Sequence, residues 1–207
     1  RLVVGRAGEP EPLQFELERS DVHVRTVRAE SLPGRYGYVR ISHFNDATPS
    51  DLGRQLSELQ LTTPLAGLVL DLRGNPGGYV NEAVGIASQF LSSGVVYIER
   101  NADGDEVPHE VSPDGVAHDL PLVFLVDGNT SSSSEIVSGA LQDAGRAKIV
   151  GETTYGTGTV LGEFELSDGS ALRIGTVEWL TPDGRRIWHE GIAPDIAVTQ
   201  AEDAVGL

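Results

Sequence analysis

The feature that most constrains the fold is an alternation of strand and helix patterns between residues 35 and 151. In AGLVLDLRGNPGG, residues 66–78, an apolar run predicts a buried strand over 66–72, followed by a Gly-rich loop and a helix around 79–92. A second apolar run, 121–127, leads through a serine-rich loop into another helical pattern. Because parallel strands need crossover helices between them, this alternation predicts βαβ units and a largely parallel sheet.

The remaining elements follow from shorter patterns. A helix is predicted to have Thr48 as its N-cap and Pro49 as its first residue, with Leu52, Leu56 and Leu59 on one face. Further strands are predicted at 2–5, 13–18, 22–28, 35–43, 94–99, 147–150, 159–166, 170–181 and 186–188. The last three make the C-terminal tail rich in β-structure.

Composition excludes several classes of function. The 207 residues carry a net charge of −16, which argues against binding nucleic acid or an anionic membrane, since both favour a basic surface. There is no cysteine, so disulfides and thiolate metal sites are absent, and no histidine–carboxylate pattern typical of a metal site occurs. No apolar run reaches transmembrane length, and no signal-peptide pattern opens the chain. Methionine is absent even at position 1, so we expect a mature, trimmed or excised fragment.

Two loops are predicted to meet at one edge of the sheet. Ligands of parallel α/β folds bind beyond the carboxyl ends of the strands, which places RGNPGG, residues 73–78, beside NTSSSSE, residues 129–135. The first loop lacks a phosphate-binding spacing, and by itself it is most simply a tight strand–helix connection. Its functional interpretation is that Gly77 and Gly78 present backbone amides to a developing oxyanion.

The serine run has two interpretations. Ser132 and Glu135 have the spacing of a capping box, which is the ordinary explanation for such a pattern. A serine between a strand and a helix is also where a nucleophile can lie, provided that a base activates it.

The candidate bases are the histidines and the lysine. His43 ends a predicted strand at the same edge of the sheet, and His189 lies in the tail, although most histidines have a structural role. Lys148 is the only lysine. The other histidines, predicted to lie at the surface, are His23, His109 and His118.

Several long segments, in order, resemble the carboxyl-terminal processing (tail-specific) serine proteases. They are GYVRISHFN, GLVLDLRGNPGGYVNEAV, VFLVDGNTSSSSEIVSGALQDAGRAKIVGETTYGTGTV, SDGSALRI, and TPDGRRI with GIAPDIAV, and they span residues 35–198. The resemblance implies an α/β core of the crotonase or Clp-protease type, with a mostly parallel sheet and a β-rich C-terminal tail. It also implies that residues 1–30 are the end of a PDZ-like domain and a linker strand, and that 31–207 are the protease-like core.

The resemblance assigns the site residue by residue. The first serine of the family's S-A-S-E-I motif, the nucleophile, falls on Ser132. The oxyanion hole falls on the amide of Ser133 and on that of Gly77 or Gly78. The implied substrate is a polypeptide bound as an added β-strand. No cofactor or metal is implied, and the implied location is periplasmic, cell-surface or secreted. Membrane association is expected only through segments outside this sequence, and self-association into a homo-oligomer stays open.

The sequence departs from the family pattern where the base is expected. In the family's F-G-K-G-x-V-Q the lysine is the base and the glutamine orients it, but here those positions are Thr157 and Leu161. A threonine hydroxyl cannot accept a proton as a neutral amine does, and leucine forms no hydrogen bonds. Lys148 is predicted to be exposed and away from the site. A tricorn-like branch of the family uses a histidine, but one that precedes the PDZ domain.

Three interpretations therefore remain. The protein is an active peptidase with a replacement base, for which His43 is a weak candidate. Alternatively it is a pseudoprotease, a peptide-binding module that has kept the groove and lost the chemistry. A hydrolase of a different acyl substrate is the third, because a fold does not fix a function.

Overall fold

The computed structural model of the chain describes residues 1–18, 20, 24–62 and 64–199. The strands, in chain order, are β1 Leu2–Val4, β2 Leu13–Phe15, β3 Val27–Leu32, β4 Tyr36–Ile41, β5 Gly67–Asp71, β6 Val95–Asn101, β7 Glu106–Glu110, β8 Leu122–Val126, β9 Lys148–Gly151, β10 Thr159–Glu165, β11 Ala171–Leu180 and β12 Ile196–Ala197. The helices are α1 Thr48–Thr62, α2 Val80–Ser88 and α3 Ser133–Asp143. None of these helices has both the length and the apolar character needed to cross a membrane.

The central sheet has six strands in the order β12-β9-β8-β5-β4-β3. All neighbouring strands are parallel except β3 and β4, which form an antiparallel pair. This arrangement confirms the predicted α/β fold with a mostly parallel sheet. It also brings the carboxyl ends of β4, β5 and β8 to one edge, where the loops that follow them can meet.

The core lies between the central sheet and the helices α1, α2 and α3, all of which contribute buried apolar side chains. Alternate side chains of β4 and β5, such as Val39, Ile41 and Leu70, are fully buried there. The three leucines predicted to share a face of α1 are buried as well, at 0% exposure for Leu52 and Leu56 and 9% for Leu59. Burial of such a stripe is what stabilises an amphipathic helix on a sheet.

A second, wholly antiparallel sheet, β10-β11-β6-β7, holds the predicted β-rich tail. Its hairpin β10–β11 follows directly after the loop that contains Thr157. β7 was not predicted, because EVPHE has little apolar alternation and its side chains are mostly exposed. β12 was also missed, since two residues are too few to make a pattern.

Several predicted boundaries are wrong. The strand expected at 22–28 begins at Val27 and continues past the predicted end to Leu32, and its first part, 22–23, lies outside the described residues. At 186–188 there is only an isolated bridge between Arg186 and Leu180. α2 ends earlier than predicted, at Ser88. α1 begins at Thr48 itself, whose hydroxyl accepts a hydrogen bond from the amide of Asn45 at 2.9 Å.

The predicted domain boundary at 30/31 falls inside β3. Because β3 pairs with β4 over its whole length, the core extends back to at least Val27. The hairpin β1–β2 forms a two-stranded sheet of its own. That this hairpin ends a PDZ-like domain stays a prediction.

Candidate active site

Ser132 lies at the start of α3 in a strained backbone conformation. Its φ is 60° and its ψ is −131°, a combination that residues other than glycine rarely adopt. Such a conformation costs about 1–3 kcal/mol and persists only where neighbouring contacts hold it. The contacts are visible: Ser131 donates its amide to the carbonyl of Asn75 at 3.0 Å, and the Thr130 hydroxyl donates to the carbonyl of Leu72 at 2.9 Å. In this conformation the Ser132 side chain is half-exposed and lies at the N-terminus of α3.

The loop RGNPGG lies against the serine run, as predicted. An added Cβ at Gly77 would lie 2.8 Å from Ser132 Cβ and 2.9 Å from the amide nitrogen of Ser133. An added Cβ at Gly78 would lie 1.9 Å from the carbonyl oxygen of Phe44. Both glycines also have positive φ, at 86° and 151°. Only glycine fits this close approach of three backbone segments.

Asn75 holds the loop in place, a role that sequence reasoning missed. The side chain is fully buried, donates from Nδ2 to the carbonyl of Ile41 at 2.8 Å, and accepts the amide of Gly77 at Oδ1, also at 2.8 Å. The Gly77 amide is therefore engaged. The amides of Gly78 and Ser133 have no hydrogen-bond partner within the described part of the chain. Because the Gly77 amide is engaged, Gly78 is the better candidate of the two glycines predicted as oxyanion donors.

Glu135 joins the serine run to the loop at the family's lysine position. Its carboxylate is fully buried. Oε2 accepts the amides of Ser132 and Thr157, both at 2.8 Å. Oε1 accepts the amide of Gly156 and the hydroxyl of Thr154, both at 2.6 Å. The sequence predicted only the first of these bonds, as the carboxylate half of a capping box, and the tertiary structure adds the other three.

The two positions that depart from the family pattern hold no group that could act as a base. Thr157 is half-buried, and its amide is fixed by Glu135. Leu161 lies on β10 and is 54% exposed. Among the described residues, no hydrogen bond joins either side chain to Ser132.

Lys148 cannot replace the missing lysine. It begins β9, so it lies at the end of the sheet opposite the carboxyl ends of the parallel strands. Its ammonium is 3.0 Å from the carboxylate of Asp195, and the side chain is 70% exposed. The prediction that it is exposed and remote from the site is confirmed.

Two histidines lie near the loops of the site. His43 is half-buried, its Nδ1 is 3.2 Å from the hydroxyl of Ser42, and the next residue, Phe44, donates its amide to the carbonyl of Gly77 at 2.8 Å. His189 has a φ of 64° and donates its amide to the carbonyl of Gly156 at 3.0 Å. No hydrogen bond connects either imidazole to Ser132 in the described residues. The proximity of His189 to residue 156 was not predicted, because 33 residues separate them.

The other histidines do not join the site. His109 is half-buried rather than at the surface, and its ring stacks on Tyr97 with centroids 4.2 Å apart. His118 is also half-buried, with Nε2 3.4 Å from the carbonyl of Ser88. His23 lies outside the described residues. Within the described ranges, no three histidine, aspartate or glutamate side chains are grouped as a metal ion would require.

A buried ion-pair network anchors the start of the Gly-rich loop. Asp71, fully buried at the end of β5, accepts hydrogen bonds from Arg73 Nη2 at 2.7 Å, Arg40 Nη1 at 3.2 Å and the Tyr38 hydroxyl at 2.6 Å. Burial opposes ionisation of this carboxyl, but the bonds from Arg73 and Tyr38 outweigh it and lower the pKa of Asp71. Burial and the bond to Asp71 raise the pKa of Tyr38.

This chain is similar in sequence to several known proteins. The model of peptidase family S41 matches residues 35–198. A carboxy-terminal-processing protease of Bartonella bacilliformis is 36% identical over 203 residues, covering 96% of this chain and 46% of that protein. Carboxy-terminal processing protease CtpB of Bacillus subtilis is 35% identical over 205 residues, covering 96% and 42%. The chain thus spans less than half the length of these relatives.

A solved structure is also similar. The photosystem II D1 C-terminal processing protease superposes with a TM-score of 0.77 at 30% identity, over 91% of this chain and 52% of that chain. The likeness in fold therefore extends over most of this chain and about half of that one.

Proposed function

Because this chain belongs to peptidase family S41, we propose that it is the core of a serine endopeptidase of the carboxyl-terminal processing type, with Ser132 as its nucleophile. The observation that carries the proposal is the strained Ser132, held against a glycine loop with the unpartnered amides of Gly78 and Ser133 beside it. Strain of this kind concentrates at functional sites. A serine that only capped a helix would have no need of it.

The proposed reaction is acyl transfer. Ser132 Oγ loses its proton to a base and attacks the carbonyl carbon of the scissile peptide. The amides of Gly78 and Ser133 would stabilise the oxyanion that forms. The carbon–nitrogen bond then breaks, the proton passes to the leaving amine, and water hydrolyses the acyl-enzyme. The substrate is a polypeptide that lies against the core as an added strand and is cut near its carboxyl end.

The identity of the base is the open chemical step. Thr157 cannot take this role, so we propose a histidine replacement, with His43 and His189 as the candidates that lie on the loops of the site. An imidazole titrates near neutral pH and is suited to proton transfer. His43→Gln and His189→Gln are each assayed for the rate of peptide cleavage over pH 5–9. If the fall in rate at low pH disappears in only one variant, the histidine replaced in that variant is the base.

The test of the nucleophile is covalent labelling by a fluorophosphonate. We expect the wild-type protein to be labelled on Ser132 and to cleave peptides, and Ser132→Ala to lose both. Ser134→Ala is the matched control in the same serine run, and it should keep its label. Peptide binding without labelling or cleavage by the full-length protein would refute the peptidase.

The alternative function is a pseudoprotease that binds peptides without cutting them. The observation that favours it is the pair Thr157 and Leu161, which removes both the family's base and the residue that orients it. Location in the periplasm, at the cell surface or outside the cell stays a prediction from the family resemblance. Cell fractionation of the native organism tests it directly.

A further inference from the structure

The outer strand β3 of the central sheet has an open edge. It pairs with β4 on one side, and within the described ranges no strand pairs with its other side. Ser42 donates its amide to the carbonyl of Thr26, so Thr26 and the even-numbered residues after it direct their backbone groups toward β4. Residues 27, 29 and 31 therefore direct their N–H and C=O groups outward. Such groups can hydrogen-bond an additional strand.

Two grooves flank this edge, one on each face of the sheet. The first, about 530 Å³, lies between β3 and α1 and is lined by residues that include Arg25, Arg54 and Gln55. The second, about 340 Å³, lies on the opposite face, and its lining includes Arg28, Glu30 and Arg40. Side chains of an added strand alternate between the two faces, so successive residues would enter one groove and then the other.

The charge of the grooves indicates what they can accept. Arg25 and Arg28 are exposed and form no ion pair or side-chain hydrogen bond within the described residues. Arg28 also lies directly across from Arg40 in the antiparallel pair, and like charges in that arrangement repel each other. Arg40 and Arg54 are already paired, with Asp71 and Asp51 respectively. Four arginines and two carboxylates, Glu30 and Asp51, line the two grooves, so their lining keeps an excess of two positive charges in a chain whose net charge is −16.

We propose that the edge of β3 is a docking site for an extended polypeptide segment with acidic side chains. Main-chain hydrogen bonds to residues 27, 29 and 31 hold the segment as a seventh strand, and its carboxylates lie beside Arg25 and Arg28. The net charge of the chain does not prevent this, because at physiological salt charges beyond about 8 Å are largely screened. A second copy of β3 is a poorer occupant, since it would bring the same arginines together.

This site is separate from Ser132, and it does not depend on catalysis. The lining residues of the two grooves come from β3, β4, α1 and the segment before β3, and none belongs to the loops at Ser132. Binding can therefore be measured in a Ser132→Ala variant, where cleavage is absent whatever the outcome of the labelling experiment.

The test is fluorescence anisotropy with a fluorescein-labelled octapeptide of the repeat Glu-Glu-Thr-Thr, which presents carboxylates on both faces of a strand, and with its Lys-Lys-Thr-Thr counterpart. We expect saturable binding of the acidic peptide only. Ser31→Pro removes an outward N–H and should weaken binding by about tenfold or more, since proline at an edge position blocks strand addition. Ser31 is exposed and follows an extended residue, so the fold should tolerate the change; Ser31→Ala is the control.

A second variant tests the charge. Arg28→Glu leaves the backbone edge intact and should weaken binding by about tenfold, because it juxtaposes like charges. Equal binding of both peptides, or binding unchanged in both Ser31→Pro and Arg28→Glu, would overturn the proposal. A dimer in sedimentation that Ser31→Pro dissociates would overturn it as well, since the occupant would then be a second copy.

Discussion

Replacing Glu135 by glutamine tests whether its carboxylate holds the serine run and the Thr157 loop together. The carboxylate accepts four hydrogen bonds, two at each oxygen. A glutamine has one oxygen, so it keeps two of these bonds at most. With that oxygen at the Oε2 position, the amides of Ser132 and Thr157 remain bonded, and the new NH₂ faces the amide of Gly156. One buried backbone donor is then left without an acceptor.

The magnitude follows from these contacts. An unsatisfied buried donor costs about 1–3 kcal/mol, and two bonds that lose a charged acceptor weaken by about 1 kcal/mol each. The easier burial of a neutral amide offsets part of this. We therefore expect the free energy of unfolding of Glu135→Gln to fall by about 2–4 kcal/mol. For a chain of this length, that lowers Tm by about 4–16 °C.

The assay is thermal and urea unfolding followed by far-UV circular dichroism. Glu163→Gln is the matched control: Glu163 is 55% exposed and, in the described part of the chain, pairs only with Arg173, itself 69% exposed. Its loss should change stability by less than about 0.5 kcal/mol. If Glu135→Gln were as stable as this control, the carboxylate would not be what fixes the two loops, and our account of the site would be refuted.

Three further variants test other parts of the site. Gly78→Ala should destabilise the protein or displace the loop, because its Cβ would lie 1.9 Å from the carbonyl oxygen of Phe44; unfolding and labelling measure this. Thr157→Lys with Leu161→Gln should increase the rate of peptide cleavage, since it restores the family's base and its partner. Asp71→Asn should lower stability at neutral pH. The pKa of Asp71 is lowered from 3.8, so its contribution is present above that value and is lost as pH falls through the folded pKa; unfolding over pH 2–7 should show the two proteins converging in acid.

Each of these has a control or a contrary outcome. Gly53→Ala, within α1, meets only the flexible end of Gln89 at 3.1 Å and should be neutral or stabilising. The double variant at the base positions should remain inactive if Ser132→Ala is added. Asp103→Asn, at an exposed turn, should not change how the free energy of unfolding falls at acid pH. A parallel offset between wild type and Asp71→Asn down to pH 2 would contradict the role given to Asp71.

The sequence was sufficient to predict the parallel sheet, since the apolar runs before the two loops are largely buried strands whose pattern depends only on local sequence. It was also sufficient to place Ser132 at a helix start beside Gly77, because strand polarity brings carboxyl ends together. It could not predict β7 or the 186–188 region, where exposed or single-bridge pairing leaves little hydrophobic pattern.

What the sequence alone determined is therefore the family, the fold class and the absence of lysine and glutamine at positions 157 and 161. Only the tertiary structure decided how the site is held: the Asn75 bond that occupies the Gly77 amide, the three bonds from Glu135 to residues 154, 156 and 157, and the approach of His189 to Gly156. Apart from the Asn75–Gly77 bond, these contacts join residues from 19 to 33 positions apart. Hydrogen bonds over such separations depend on how loops pack in three dimensions, and local pattern carries no record of that.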